Sequence, residues 1–229
     1  MPDWRTQINI NTIYKHQDSD HPNSGRLFCA SGRTKTQARI DGRTLLVNGL
    51  RVDNVQSVSS VCDMNSSEGR LTIQKGWRET MPHADYPSGG SALEAFDRTI
   101  VTDVVQETEP NDNLYRRNYR VDWSLIEQDP SELEEDEMRE RHFREVAVAR
   151  TTFGRRIFWT KQGYLGIGPA SMTTHDIICI FYGGQLLYVL RDTGLGIFEC
   201  IGECYVHGLM DGEALTEVGG RKEEMFTII

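Results

Sequence analysis

The chain has 229 residues, 38% of them hydrophobic and 26% charged, with a formal net charge of -9. That length suits one large domain or two small ones, enough to bury a core without staples, and the ordinary composition excludes wholesale disorder. An acidic surface repels phosphate backbones, which argues against a nucleic-acid partner, and no apolar run reaches the length of a bilayer span, which argues against a membrane one.

Five cysteines are present: Cys29, Cys62, Cys179, Cys200 and Cys204. An odd count, with no secretory pattern after Met1, points to reduced thiols and a cytoplasmic address. Cys179, Cys200 and Cys204 sit in apolar runs and read as buried core thiols.

Residues 1–25 are polar and read as a flexible arm, with a single domain over 26–229. Asp41-Gly42 between two apolar runs is a hairpin signal. Thr44 to Val47 and Leu50 to Val58 follow as strands, broken by Asn48-Gly49. Ser91 to Glu94 is a capping box, after which Leu93, Phe96, Ile100 and Val104 share a helical face. A second box, Ser131 to Glu134, opens a helix with Met138, His142, Val146 and Ala149 on one face. Glu135/Arg139, Glu137/Arg141 and Glu140/Arg144 have the spacing of helical ion pairs. Residues 77–90 and 107–130 read as long polar connections. Beyond Gly154 the chain turns strand-rich, with runs at 157–159, 163–169, 177–181, 186–190, 197–206 and 226–229. Together these predict an α+β fold: a curved antiparallel sheet or small β-barrel with two packed helices.

Gly163-Tyr164-Leu165-Gly166-Ile167-Gly168-Pro169, His175-Asp176-Ile177-Ile178-Cys179, Gly183-Gly184 with Tyr188-Val189-Leu190-Arg191, and the run Gly202 to Leu215 stand in this order. The series resembles the C-terminal region of fungal heterokaryon-incompatibility (HET) proteins. Leu50 to Val55 and Phe96-Asp97-Arg98-Thr99 look like weaker segments of the same region. Proteins of that family open with a TIR-like effector domain, for which residues 1–25 leave no room. The resemblance therefore implies the C-terminal module standing alone, without the effector function.

The densest reactive cluster is Tyr205, His207 and Asp211. His207 suits a general acid or base, with Asp211 or Glu213 orienting it. The bland alternative is a strand-ending turn whose side chains cap backbone amides. A zinc site at Cys200, Cys204 and His207 fails on spacing, because strand positions four apart lie about 13 Å from each other. The glycines of 163–168 lack the lysine of a phosphate loop, so no cofactor is expected. Trp77, Phe158, Trp159, Tyr164 and Tyr188 are candidates to line a cavity for an apolar small molecule.

Two functions follow. One is a cofactor-independent cyclase, of the intramolecular Diels–Alder type, acting on a terpenoid or polyketide intermediate. It would rely on shape and on one hydrogen-bond donor, worth about 3 kcal/mol at most. The other is a non-enzymatic interaction or regulatory module of an incompatibility-type immunity system.

Overall fold

A computed structural model describes residues 27–106, 115–117, 119–216 and 223–229. The expected N-terminal arm and residues 107–114 of the long polar connection lie outside them. Among the described residues ten strands run β1 Ala38–Asp41, β2 Thr44–Val58, β3 Val104–Gln106, β4 Tyr115–Arg117, β5 Arg155–Thr160, β6 Leu165–Pro169, β7 Ile177–Phe181, β8 Leu187–Gly194, β9 Ile197–Val206 and β10 Glu223–Ile228. Five helices join them: α1 Ser67–Glu79, α2 Ala92–Thr99, α3 Trp123–Glu127, α4 Glu135–Thr152 and α5 Glu213–Thr216.

The main sheet has eight strands and curls into a ring, as the α+β reading expected. β2 is its seam. Its middle, Gly49 to Asn54, pairs with β7. Its end, Val55 to Val58, pairs with β5. From β5 the ladder passes to β6, β9, β8 and back to β7. Register shifts between Arg51 and Asp53, and between Val55 and Ser57, lie on this strand. Such bulges bend a strand and add twist, which is what closing the ring demands.

A second, smaller ring shares the same wall. β10 lies antiparallel to Leu45–Leu50 of β2 and parallel to Ile197–Phe198 of β9. Strands β7, β8, β9 and part of β2 therefore carry apolar side chains on both faces. Ile178, Ile180, Leu187, Val189 and Cys204 enter the larger core. Val47, Ile177, Cys179, Leu190, Phe198, Phe226 and Ile228 form the smaller one. Burial on both faces explains why Ile177 to Phe181 is an unbroken apolar run instead of an alternating one.

Several local expectations are corrected. Thr44 to Val58 is one strand. Asn48-Gly49 does not break it; a Cβ on Gly49 would collide with the Ile180 carbonyl, so glycine here lets β7 approach. The capping box of α2 forms as read, with Ser91 Oγ accepting from Glu94 N at 3.2 Å. That helix ends at Thr99, however, and Val104 belongs to β3. Residues 130–132 are a separate 3-10 turn capped by Asp129, and the box that opens α4 is Glu134 with Glu137. Glu137 turns back to the Glu134 amide at 3.0 Å, so Arg141 pairs with Glu145 at 2.9 Å. Met138 lies 42% exposed, off the packed face of α4. Helix α1 was not foreseen, and it includes Trp77 to Glu79 of a supposed loop. Ser66 caps it by accepting from Gly69 N at 3.1 Å, and Gln74 and Trp77 are its buried positions. Cys200 is exposed, while Cys179 and Cys204 are buried. Ile201 is an extra residue opposite the Val189/Leu190 step of β8, so Cys200 and Cys204 face opposite ways.

Because β2 supplies partners to β5, β7 and β10, we propose that residues 27–229 unfold as one unit. Expressed alone, residues 27–90 and 151–229 should each lack a cooperative thermal transition. A sharp melt from either piece would disprove it.

Candidate functional site

The predicted site residues fall into four places. Tyr205, at the end of β9, is only 1% exposed, and its Oη lies 3.0 Å from His207 Nδ1. Its ring packs edge-on against Phe28 at 5.8 Å. His207 sits half-buried in the turn after β9. Its backbone N–H donates to Leu165 O at 3.0 Å, and its carbonyl accepts from Tyr86 Oη at 3.0 Å. The same Tyr86 hydroxyl accepts from Leu165 N at 2.8 Å. Tyr164 stands edge-on to Tyr86 at 6.0 Å, and the Tyr86 and His207 rings lie 5.4 Å apart. Burial pushes the Tyr86 phenol well above its usual range, so it stays a neutral donor. Tyr86 is thus the hub between the 80s loop, β6 and the β9 turn, a role its isolated place in the sequence does not signal. Asp211 is exposed, and its backbone N–H donates to Glu213 Oε2 at 2.7 Å. That contact is the amide-capping turn of the bland reading.

Phe158 is elsewhere, fully buried inside the larger ring. A Cβ on Gly166 would strike its ring and would stand 2.6 Å from Tyr205 O; one on Gly168 would stand 2.7 Å from Met172 Sδ. Those glycines make room for Phe158 and Met172, and Ile178, Ile180 and Leu187 belong to the same core, while Leu165 and Ile167 alternate to the outer face of β6. Tyr188 faces the smaller core, stacked on Phe181 at 4.6 Å. Trp77 and Trp159 meet in a fourth place, an open groove of about 510 Å³ between α1 and the β2–β5 surface. Trp77 Nε1 there donates to Ser60 Oγ at 3.2 Å. Sequence reasoning missed Ser57, Val58, Ser59, Ser60, Ile73, Gly76, Thr80 and Ile157, which complete the lining. The periodic Ile73 and Trp77 of α1, with Thr80 as its C-cap, were the available signal.

The segments that suggested kinship prove to be cross-links. Arg191 forks onto Asp176, Nε to Oδ1 and Nη2 to Oδ2, both at 2.9 Å, and Asp176 also accepts from Thr173 N at 2.7 Å. Asp53 accepts from Asn54 N at 2.8 Å and from Gln162 N at 2.9 Å, tying β2 to the β5–β6 turn. Asp97 accepts from Trp123 Nε1 at 2.8 Å and pairs with Arg78. Burial raises its carboxyl above the usual range, and those two donors offset that only in part. Among the described residues, no group of three or more His, Cys, Asp or Glu could hold a metal ion. No helix among them is long and apolar enough to cross a membrane.

A closed antiparallel barrel with helices on its outside, and with motif residues devoted to its joints, defines the class of protein. Comparison with known proteins makes it particular. Residues 127–228 match the Het-6 beta-barrel domain, a range that holds α4 and β5 to β10. Over 63 residues the chain is 38% identical to heterokaryon incompatibility protein 6, OR allele, of Neurospora crassa. That alignment covers 26% of this chain and 9% of the relative. No solved structure matches. This part of the chain is therefore related to fungal heterokaryon-incompatibility proteins, as the sequence motifs indicated.

Two outcomes follow. Asp176→Ala leaves a partly exposed guanidinium without its fork and frees the 171–176 loop. It should cost about 2 kcal/mol, less than a fully buried pair, in denaturant unfolding. Unfolding unchanged within error would show the fork to be idle. Burial, with the Glu203 carboxylate adding to it, pushes the Tyr188 phenol up to about 12. A raised acid pKa favours the neutral folded form. The stabilisation is therefore complete below the unfolded value near 10 and is lost as pH climbs from there toward 12, on the order of 2 kcal/mol. Tyr188→Phe should flatten that alkaline limb, and an unchanged limb would refute it.

Proposed function

We propose that this chain is a non-enzymatic interaction or regulatory module of a fungal incompatibility-type recognition system. The observation that carries the reading is where the motif residues go. Asp53, Asp97, Asp176, Arg191, Gly166 and Gly168 each hold elements together or admit a packed ring. Of these, Gly166 packs beneath the Tyr205 backbone carbonyl, and the others are engaged with other elements. The likeness to the Neurospora protein and the Het-6 beta-barrel match support the same reading.

The cyclase expected from the sequence needs an apolar chamber beside a hydrogen-bond donor. The larger ring is instead packed with Phe158, Met172, Ile178, Ile180 and Leu187, all fully buried. Tyr205 is spent on His207 and Phe28. Neither the ring interior nor the Tyr205–His207 contact supplies that chamber.

The test is expression of the full chain in one of two incompatible fungal strains, followed by counting fusion cells that take up a vital stain. The chain should change that count. Asp176→Ala, which loosens the barrel, should weaken the effect. His207→Ala should leave it intact at equal protein level. An effect abolished by His207→Ala, with the fold retained, would replace our reading with a catalytic one.

A further inference from the structure

The groove beside α1 has features that the fold itself does not require. Its described lining is Ser57, Val58, Ser59, Ser60, Ile73, Gly76, Trp77, Thr80, Ile157 and Trp159, of which the first four belong to β2 or follow from it and the last two to β5. Not one of these side chains is ionisable, in a chain that is 26% charged. The floor is Val58, Ile73, Ile157 and the two indoles, and hydroxyls stand at the rim. Ser59 and Thr80 already bond to backbone carbonyls, at Ser60 and Trp77. The volume of about 510 Å³ falls within the roughly 300–1,000 Å³ of small-molecule sites.

Gly76 is the second, independent observation. It sits inside α1, where glycine is disfavoured against alanine because it loses more backbone freedom. Its φ is not the left-handed one that would call for glycine, and a Cβ there would meet nothing within 4 Å. Packing therefore gives no reason for a glycine at this position. What the missing side chain does is leave the wall of the groove open.

We propose that this groove binds an uncharged, largely apolar small molecule, with Gly76 holding the space and Trp159 giving it a flat face. An ionised ligand would leave water without a compensating charge in the lining, so neutrality is the main selection the site exerts. The Ser57 hydroxyl, and the O–H that Ser60 keeps while its oxygen accepts from Trp77 Nε1, suit one or two polar atoms at the ligand's edge. A polyhydroxylated ligand would find too few free partners here. This inference does not rest on the proposed signalling role, because binding is read on the purified protein.

The experiment compares two fluorescent probes of one skeleton: neutral N-phenyl-1-naphthylamine and its anionic relative 8-anilinonaphthalene-1-sulfonate. The neutral probe should bind saturably to the full chain, and the sulfonate about tenfold more weakly or worse. Gly76→Leu fills the groove from its wall and should weaken the neutral probe by about tenfold or more, without lowering the melting temperature. Ser57→Phe, at the exposed rim, is the second variant and should act in the same direction. No saturable binding of the neutral probe overturns the proposal. So does equal affinity for both probes, or affinity unchanged in both variants.

Discussion

One strand has to satisfy four neighbours. β2 runs 15 residues and hands its hydrogen bonds in turn to β1 and β10, to β7 and to β5. A straight strand cannot do this, because its two edges would point along a flat sheet. The register shifts at Arg51/Asp53 and Val55/Ser57 bend it, so that β5 and β7 become the two ends of one ring. Everything apolar in the larger core depends on that closure. The match to the Het-6 beta-barrel domain begins at residue 127, so the strand that joins both ends of the barrel lies upstream of the matched range.

Closure also sets what the strongest motifs can mean. In the Gly163 to Pro169 segment, glycine at 166 and 168 is the absence of a side chain where Phe158 and Met172 must fit. The Asp176–Arg191 fork joins the loop entering β7 to β8, and Asp53 joins β2 to the turn that leads into β6. A polar pair of this kind loses solvation on folding and is tolerated because each oxygen regains a donor. Such residues are tightly constrained without touching a substrate. A motif built from them therefore identifies the fold far better than it identifies a reaction.

The aromatic residues divide along the same lines. Alternation along each strand sends neighbours to different environments: Phe158 to the interior and Trp159 to the outer groove, Leu187 to one core and Tyr188 to the other. A set of aromatics read as one cavity wall is thus split among a hydrogen-bonded cluster, two cores and a groove. Only Trp77 and Trp159 meet across open space, brought together because α1 packs over the β2–β5 junction.

The sequence by itself determined the class of fold, most strands after Gly154, the α2 capping box and the kinship with heterokaryon-incompatibility proteins. Those features are local: hydrophobic period, turn residues and side chains that cap the nearest free amides. It also grouped Tyr205 with His207, two residues apart at a strand end, though with Asp211 or Glu213 as the partner of the imidazole. The tertiary structure decided the rest. Whether Asn48-Gly49 breaks a strand depends on the Ile180 carbonyl, which is distant in sequence. Whether Cys200 and Cys204 share a face depends on one extra residue opposite Leu190. The double ring, the role of Tyr86 and the groove beside Gly76 all arise from long-range pairing, where burial on both faces erases the alternation that would have shown which side each residue takes.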